Sequence, residues 1–197
     1  MIPATTIAIE GPDRCGKATQ SRMLVQALQD QGYKVKLVEV PVKSVLSYKI
    51  IYWLLRNGFV NYIPNVFQFV QFVNKWFFQV FKFTFMRWFF DFIIFDRWAL
   101  SGVVYGDAGG ANPRFSRFLF RRLRKPDATI ILVGMARTSD VTDAYEANNK
   151  LQMNVRRGYA DWYIENRKGM AIVDNDGSRN DVHNRIMNVV DKKFDLL

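Results

Sequence analysis

Apolar residues along this chain alternate between two patterns: short unbroken runs, and longer stretches in which they recur every three or four positions. The first run, Thr6 to Glu10, is short and β-type. A glycine-rich turn follows it, and then Met23, Leu24, Ala27 and Leu28 repeat at helical spacing until Gly32. Val35 to Val40 is a second apolar run. Strand, helix, strand in that order is a βαβ unit, which pairs its strands in parallel and delivers its first loop to a helix N-terminus. A long helical stretch is predicted between about Ser47 and Trp88, broken near Gly58 and Pro64. Phe92 to Phe95, Ala128 to Val133 and Met170 to Val173 are three further strand candidates. Helical patterns cover Pro113 to Arg124, Tyr145 to Asn166 and Asp181 to Phe194. No repeat or Pro/Ser-rich linker divides the chain. The pattern predicts one α/β domain over residues 1–197, a three-layer α/β/α sandwich around a parallel sheet of about five strands.

Composition changes this picture in three places. The segment from Ile50 to Phe95 is rich in Phe and Trp, which raises the question of a membrane span. Arg56, Lys75, Lys82, Arg87 and Asp91 interrupt it, and Asn and Gln residues fill its longest uncharged gap. Amphipathic helices with apolar faces left over for a partner fit better, and no membrane association is expected. A single cysteine, Cys15, excludes an intrachain disulfide, and the N-terminal apolar run is too short for a signal sequence. A cytoplasmic location is the simplest expectation. The formal net charge of +10 favours polyphosphate ligands, nucleotides and nucleic acids alike.

The chemistry sits in the first turn. Gly11-Pro12-Asp13-Arg14-Cys15-Gly16-Lys17-Ala18 matches GxxxxGK[ST] except at its last position, and it lies between a predicted strand and a predicted helix as that pattern requires. Glycines let backbone N–H groups curl around phosphate oxygens, the helix N-terminus adds positive potential, and Lys17 reaches the β- and γ-phosphates. Ala18 lacks the hydroxyl that normally binds Mg²⁺, and Thr19 is turned about 100° away along a helix. Magnesium would then be held by phosphates and waters. A thiol at a helix N-terminus can be reactive, but Cys15 reads as packing. The lone His183 reads as a surface residue, and no Cys/His cluster suggests zinc.

Taken whole, the opening IAIEGPDRCGKATQSRMLVQAL resembles the start of a thymidylate kinase. The likeness continues in order: Pro41-Val42-Lys43-Ser44 resembles the FP-x-RST segment, Asn74-Lys75-Trp76 the NRW segment, and Phe95 to Gly102 the DRY-x-x-SG segment. Lys125-Pro126-Asp127 matches the KPD strand, and Asp143-Ala144-Tyr145-Glu146 resembles the D/E-R-Y-E of the lid. The resemblance implies a P-loop nucleoside monophosphate kinase that uses ATP and Mg²⁺, with Gly11, Arg14, Cys15, Gly16, Lys17, Ala18 and Thr19 around the ATP phosphates. Arg14 resembles the subgroup that carries its catalytic arginine in the loop, where a guanidinium can neutralise moving charge.

By the same resemblance Asp13 contacts the acceptor's sugar 3′-hydroxyl or phosphate region. Arg97 grips the monophosphate, and Asp96 holds Mg²⁺ through water. Lys43 and Lys75 stand where the family has arginines that contact phosphate and base, and Trp98 stands for Tyr. Phe72 is a neighbour able to stack on a pyrimidine, and Tyr105 is counted among the substrate contacts. The lid, around 135–150, is short. There Arg137 is a candidate for the phosphates or adenine, and the Tyr145 ring would favour deoxyribose. These features predict an ATP:deoxynucleoside-monophosphate kinase, with dTMP or a close deoxypyrimidine such as dUMP as acceptor. A homodimer through the aromatic helices is also expected, as in thymidylate kinases. The rival readings are a nucleotide-binding homologue impaired in catalysis, suggested by Ala18 and the short lid, and a basic nucleic-acid-binding module, supported only by net charge.

Overall fold

Each of the five apolar runs becomes a strand: β1 Thr5–Glu10, β2 Val35–Glu39, β3 Phe92–Asp96, β4 Ala128–Val133 and β5 Met170–Asp174. They form one parallel sheet in the order β2-β3-β1-β4-β5 in the computed structural model, which describes residues 3–43, 47–57, 62–134 and 149–196. The central strand, β1, is buried along nearly its whole length. Its register sets Ile9 beside Asp96, and Asp96 beside Glu39, so the acidic strand ends converge at one edge of the sheet. At the opposite edge the Asp127 carboxylate accepts from both the amide and the hydroxyl of Thr6, at 2.8 and 2.6 Å. That pairing ties β4 to β1 and accounts for Asp127 structurally.

Alternation along the strands separates two cores. Ile7, Ile9 and Ile130 face Leu24 and Leu28 of α1 (Lys17–Asp30) and Ile186 and Val190 of the C-terminal helix. Ala8, Ile93 and Phe95 face the other way, toward Phe78, Phe83, Val103 and Leu119. Burying an Ile or Leu side chain in this manner contributes ~1.5–3 kcal/mol each. The helices on this second face are α3 (Pro64–Phe78), α4 (Ala99–Ala108), α5 (Pro113–Phe120) and α6 (Asn149–Glu165); α2 (Ser47–Arg56) packs on α3 through Ile51, Leu54 and Phe67. Among the described residues no helix is long and apolar enough to cross a membrane.

Helix ends follow local chemistry more than apolar spacing. α5 stops at Phe120, short of the expected Arg124, because the amides of Arg122 and Leu123 turn back to Leu119 and Phe120 and Pro126 follows. The C-terminal helix, α7 (Arg179–Phe194), begins before the expected Asp181. Ser178 caps it, and Asp181 returns the bond to the Ser178 amide at 2.8 Å in a capping box. Beyond α3 the chain widens into a π-helical turn, Gln79–Phe83, before a last helical segment, Thr84–Met86. The wide turn brings Phe78 and Phe83, five residues apart, onto one buried face with their rings stacked at 6.2 Å. Phe81 and Phe85 are left 66% and 67% exposed.

Gly102 of α4 lies flat against the Phe120 ring, and a Cβ placed there would run into that ring. Gly102→Ala is expected to destabilise the protein by ~1–3 kcal/mol in urea unfolding through overpacking. Adding Phe120→Leu should recover part of the loss; a double variant no more stable than the single would contradict the assignment.

Candidate active site

β1 ends at Glu10, and the turn that follows must reverse direction within a few residues. Gly11 takes φ 142°, and a side chain there would collide with the Leu132 carbonyl. Gly16, at φ 91°, caps α1 without offering a side chain, so the first amides of that helix stay available to an anion. The loop and helix start, Asp13 to Gln20, wall a cavity of about 470 Å³ together with Asp96, Arg97, Arg179 and Val182. Nine sequence-predicted residues meet there: Asp13, Arg14, Cys15, Gly16, Lys17, Ala18, Thr19, Asp96 and Arg97. Gly11 contributes its carbonyl, which accepts from Arg97 at 3.3 Å.

Arg97 follows β3 in a left-handed conformation, φ 69°, which swings its side chain away from Asp96 and across to the loop. There it pairs with Asp13, lies over the Tyr105 ring at 4.9 Å and approaches the Tyr105 hydroxyl at 3.3 Å. Gln152 of α6 secures the other side of Asp13, donating to its carboxylate at 2.8 Å and accepting from its amide at 3.3 Å. Burial alone would raise the Asp13 carboxyl, but Arg97, Lys17 and Gln152 outweigh it and hold it below the ordinary range. Burial raises Asp96 despite Arg97 and Lys17 nearby. Lys17 is pushed down by burial and then by Arg97; its amine donates to the Pro12 carbonyl.

The remaining predicted residues are dispersed. Lys43 is exposed, reaches Glu39 at 3.3 Å and borders a neighbouring cleft that also includes Ala18 and Asp96. Phe72 packs edge-on against Phe120 at 6.2 Å. Arg137 and Tyr145 lie outside the described residues. Two residues depart from the expected substrate contacts. Trp98 turns its ring into the core, stacked on Phe95 at 4.5 Å with Nε1 donating to the Arg124 carbonyl at 2.8 Å. The Lys75 amine is enclosed, donating to the Trp98 carbonyl at 2.9 Å and lying 4.8 Å from the Phe120 ring. The Lys75 amine is thus engaged within the protein, and a single ammonium cannot form the forked contact of an arginine.

Several residues of the site carry no motif. Glu10 is completely buried; its carboxylate accepts from the Trp98 amide at 2.8 Å and from the Tyr159 hydroxyl at 3.2 Å. Glu10 and Lys75 therefore grip the two backbone polar groups of Trp98, the residue after Arg97. Burial raises Glu10, with Lys75 opposing, and burial lowers Lys75 to about 7, with Glu10 opposing. Asn175 donates to the Cys15 carbonyl at 3.2 Å, and Arg179 enters the cavity from the start of α7. For Glu10, a charged residue closing an apolar strand was a visible signal. Gln152, Tyr159, Asn175 and Arg179 gave none.

An uncapped glycine turn between a parallel strand and a helix, with a lysine in the turn and an arginine brought in from a neighbouring strand, defines a P-loop phosphate-binding site of the phosphotransferase type. The chain belongs to the thymidylate kinase family, whose family model matches residues 9–186. It is 27% identical to the thymidylate kinase of Schizosaccharomyces pombe over 93% of this chain and 90% of that protein. Its fold is similar to that of the thymidylate kinase from Candida albicans, with a TM-score of 0.80 at 22% identity over 99% and 94% of the two chains. The Ehrlichia chaffeensis thymidylate kinase superposes with a TM-score of 0.73 at 20% identity, covering 95% and 98%.

Lys75 supplies a pH test. Its amine loses a proton near pH 7 in the folded protein and near 10.4 when unfolded. Between these values the unfolded chain binds more protons, so this group's contribution to stability rises with pH. The stability of the wild type relative to Lys75→Met should grow from pH 7 to 9, by at most about 1.4 kcal/mol per unit. Urea titrations that show the difference shrinking would contradict the buried pair.

Proposed function

We propose that the protein transfers the γ-phosphate of ATP to dTMP, giving dTDP and ADP. The observation that carries this reading is Arg97, anchored on Asp13 at the rim of the cavity that Lys17 and the loop amides form. The loop and the α1 N-terminus would bind the ATP phosphates, with Lys17 and Arg14 neutralising the γ-phosphoryl as it moves. Arg97 would hold the acceptor phosphate in line, already fixed by Asp13 and Tyr105, so that little reorganisation accompanies transfer. No covalent intermediate is required. A single kinase domain with a short lid over 135–150, acting in the cytoplasm, completes the reading.

The residues fit one water-mediated contact to Mg²⁺. Asp96 lines the cavity, burial raises its carboxyl, and that carboxyl makes no hydrogen bond among the described residues, while the Ala18 side chain offers no oxygen. A bound magnesium ion would neutralise phosphate charge beside Asp96.

We also propose a homodimer. Trp53, Phe69, Phe77 and Phe81 of the α2 and α3 region are 44–66% exposed, an apolar surface that a second copy would cover.

ATP consumption measured across the common NMPs and dNMPs tests the assignment, with the highest kcat/KM expected for dTMP. Tight nucleotide binding without turnover on any acceptor would favour the catalytically impaired reading. Arg97→Ala should lower kcat ~10²–10³-fold, whereas Lys43→Ala, on an exposed flexible ammonium, should act mainly on KM. Equal losses of kcat would mean that the roles are misassigned. Ala18→Ser restores a metal-binding oxygen and should reach half-maximal activity at several-fold lower Mg²⁺, as ~1 kcal/mol implies. An unshifted or rightward-shifted titration would show that the loop has adapted around alanine. Light scattering should report a dimer at micromolar concentration; monomer alone would contradict the interface.

A further inference from the structure

A second cavity, of about 560 Å³, shares no lining residue with the phosphate cavity. It begins beside Thr129, Gly169 and Met170, where β4 and β5 start, at the opposite end of the sheet from the loop. From there it runs inward between the sheet and helices α4, α5 and α6 to Trp98 and Glu10. Its volume is that of a small-molecule site.

The walls and the mouth differ in chemistry. Leu100, Val103, Phe120, Trp162 and Met170 give apolar walls. The deep polar groups are already engaged: Glu10 with Trp98 and Tyr159, and the Trp98 indole with the Arg124 carbonyl. Glu10 and Trp98 offer no free donor to a base or sugar, and Arg117, also in the lining, pairs with Asp107 at 3.6 Å and lies over the Trp162 ring at 5.5 Å. At the mouth stand Arg121, Lys125, Arg167 and Lys168, all exposed, facing Glu165 as the acid among the lining residues there. None of these four cations forms a salt bridge among the described residues. Cations around an apolar opening focus positive potential on it. A free phosphate would meet only the mouth and leave the apolar walls uncovered, and the polar base and sugar of a nucleotide would lose hydration against those walls. A ligand with an apolar body and one anionic head satisfies both regions, and the four cations at the mouth fix its direction.

We propose that this cavity is a second ligand site for a small amphipathic anion, an aromatic or acyl carboxylate or sulfonate, with its body on Val103 and Phe120 and its head at Arg121 and Lys125. Nothing in this proposal depends on the kinase reading, and its test reads binding alone. The probe is 8-anilinonaphthalene-1-sulfonate, titrated into the full chain and followed by fluorescence. One saturable site is expected, unaffected by ATP.

Arg121→Glu/Lys125→Glu, both at exposed positions, should weaken that binding at least ~10-fold through reversed charge at the mouth. Val103→Trp, which fills the cavity, should abolish it. Phe85→Ser/Phe89→Ser removes exposed aromatic surface elsewhere and should leave it unchanged. Circular dichroism checks that each variant is folded; if Val103→Trp is not, the two mouth substitutions decide. Binding insensitive to the mouth variant, lost with Phe85→Ser/Phe89→Ser, displaced by ATP, or absent at millimolar probe would overturn the proposal.

Discussion

A carboxylate at the end of the central strand, completely enclosed by protein, holds the catalytic edge together. Glu10 leads directly into the phosphate loop, and its oxygens accept from the Trp98 amide and the Tyr159 hydroxyl. Lys75 grips the Trp98 carbonyl from the other side. The chain leaving β3 is thereby fixed against the chain leaving β1, and Arg97, between Asp96 and Trp98, is held left-handed with its guanidinium on Asp13. Burying two charges is expensive, and an apolar pair of similar volume is often as stable or more so. What the charged pair adds here is direction: it aims one backbone segment, and through it one side chain, at the phosphate cavity.

That arrangement explains how preorganisation is shared between the two faces of the sheet. On one side α1 and α7 supply amides, Lys17 and Arg179 to the cavity. On the other, α4 and α6 supply Tyr105 and Gln152, which fix Arg97 and Asp13. Asn175 joins them by supporting Cys15 from the end of β5. In an electrostatically driven transfer, donors that are already in place need not reorient as charge moves. The same clamp gives Lys75 a role within the protein, holding the Trp98 carbonyl.

The fold was legible because its signals are local. Five apolar runs, the intervening 3.6-residue repeats and the loop pattern each reflect a short-range constraint, and strand ends were misplaced by about one residue at most. Helix ends were less legible. The α5 stop depends on backbone turns after Phe120, and the α7 start on the Ser178–Asp181 capping box. The phosphate half of the site was visible because glycine, lysine and helix N-terminus occur together in one short segment. Gln152 and Tyr159 were not, since each meets its partner more than a hundred residues away, and a polar residue on a helix carries no mark of what it faces. The inward packing of Trp98 and Lys75 was not legible for a related reason: family position pointed to substrate, whereas the Trp98 ring stacks on Phe95 and the Lys75 amine donates to the Trp98 carbonyl.

Transfer to an acceptor, as opposed to water, is tested most directly by phosphorus-31 spectroscopy of the purified protein incubated with ATP, Mg²⁺ and dTMP. Equal accumulation of ADP and dTDP, with little inorganic phosphate, is the predicted result. ADP accompanied by inorganic phosphate and no dTDP, or no change in ATP at all, would contradict it.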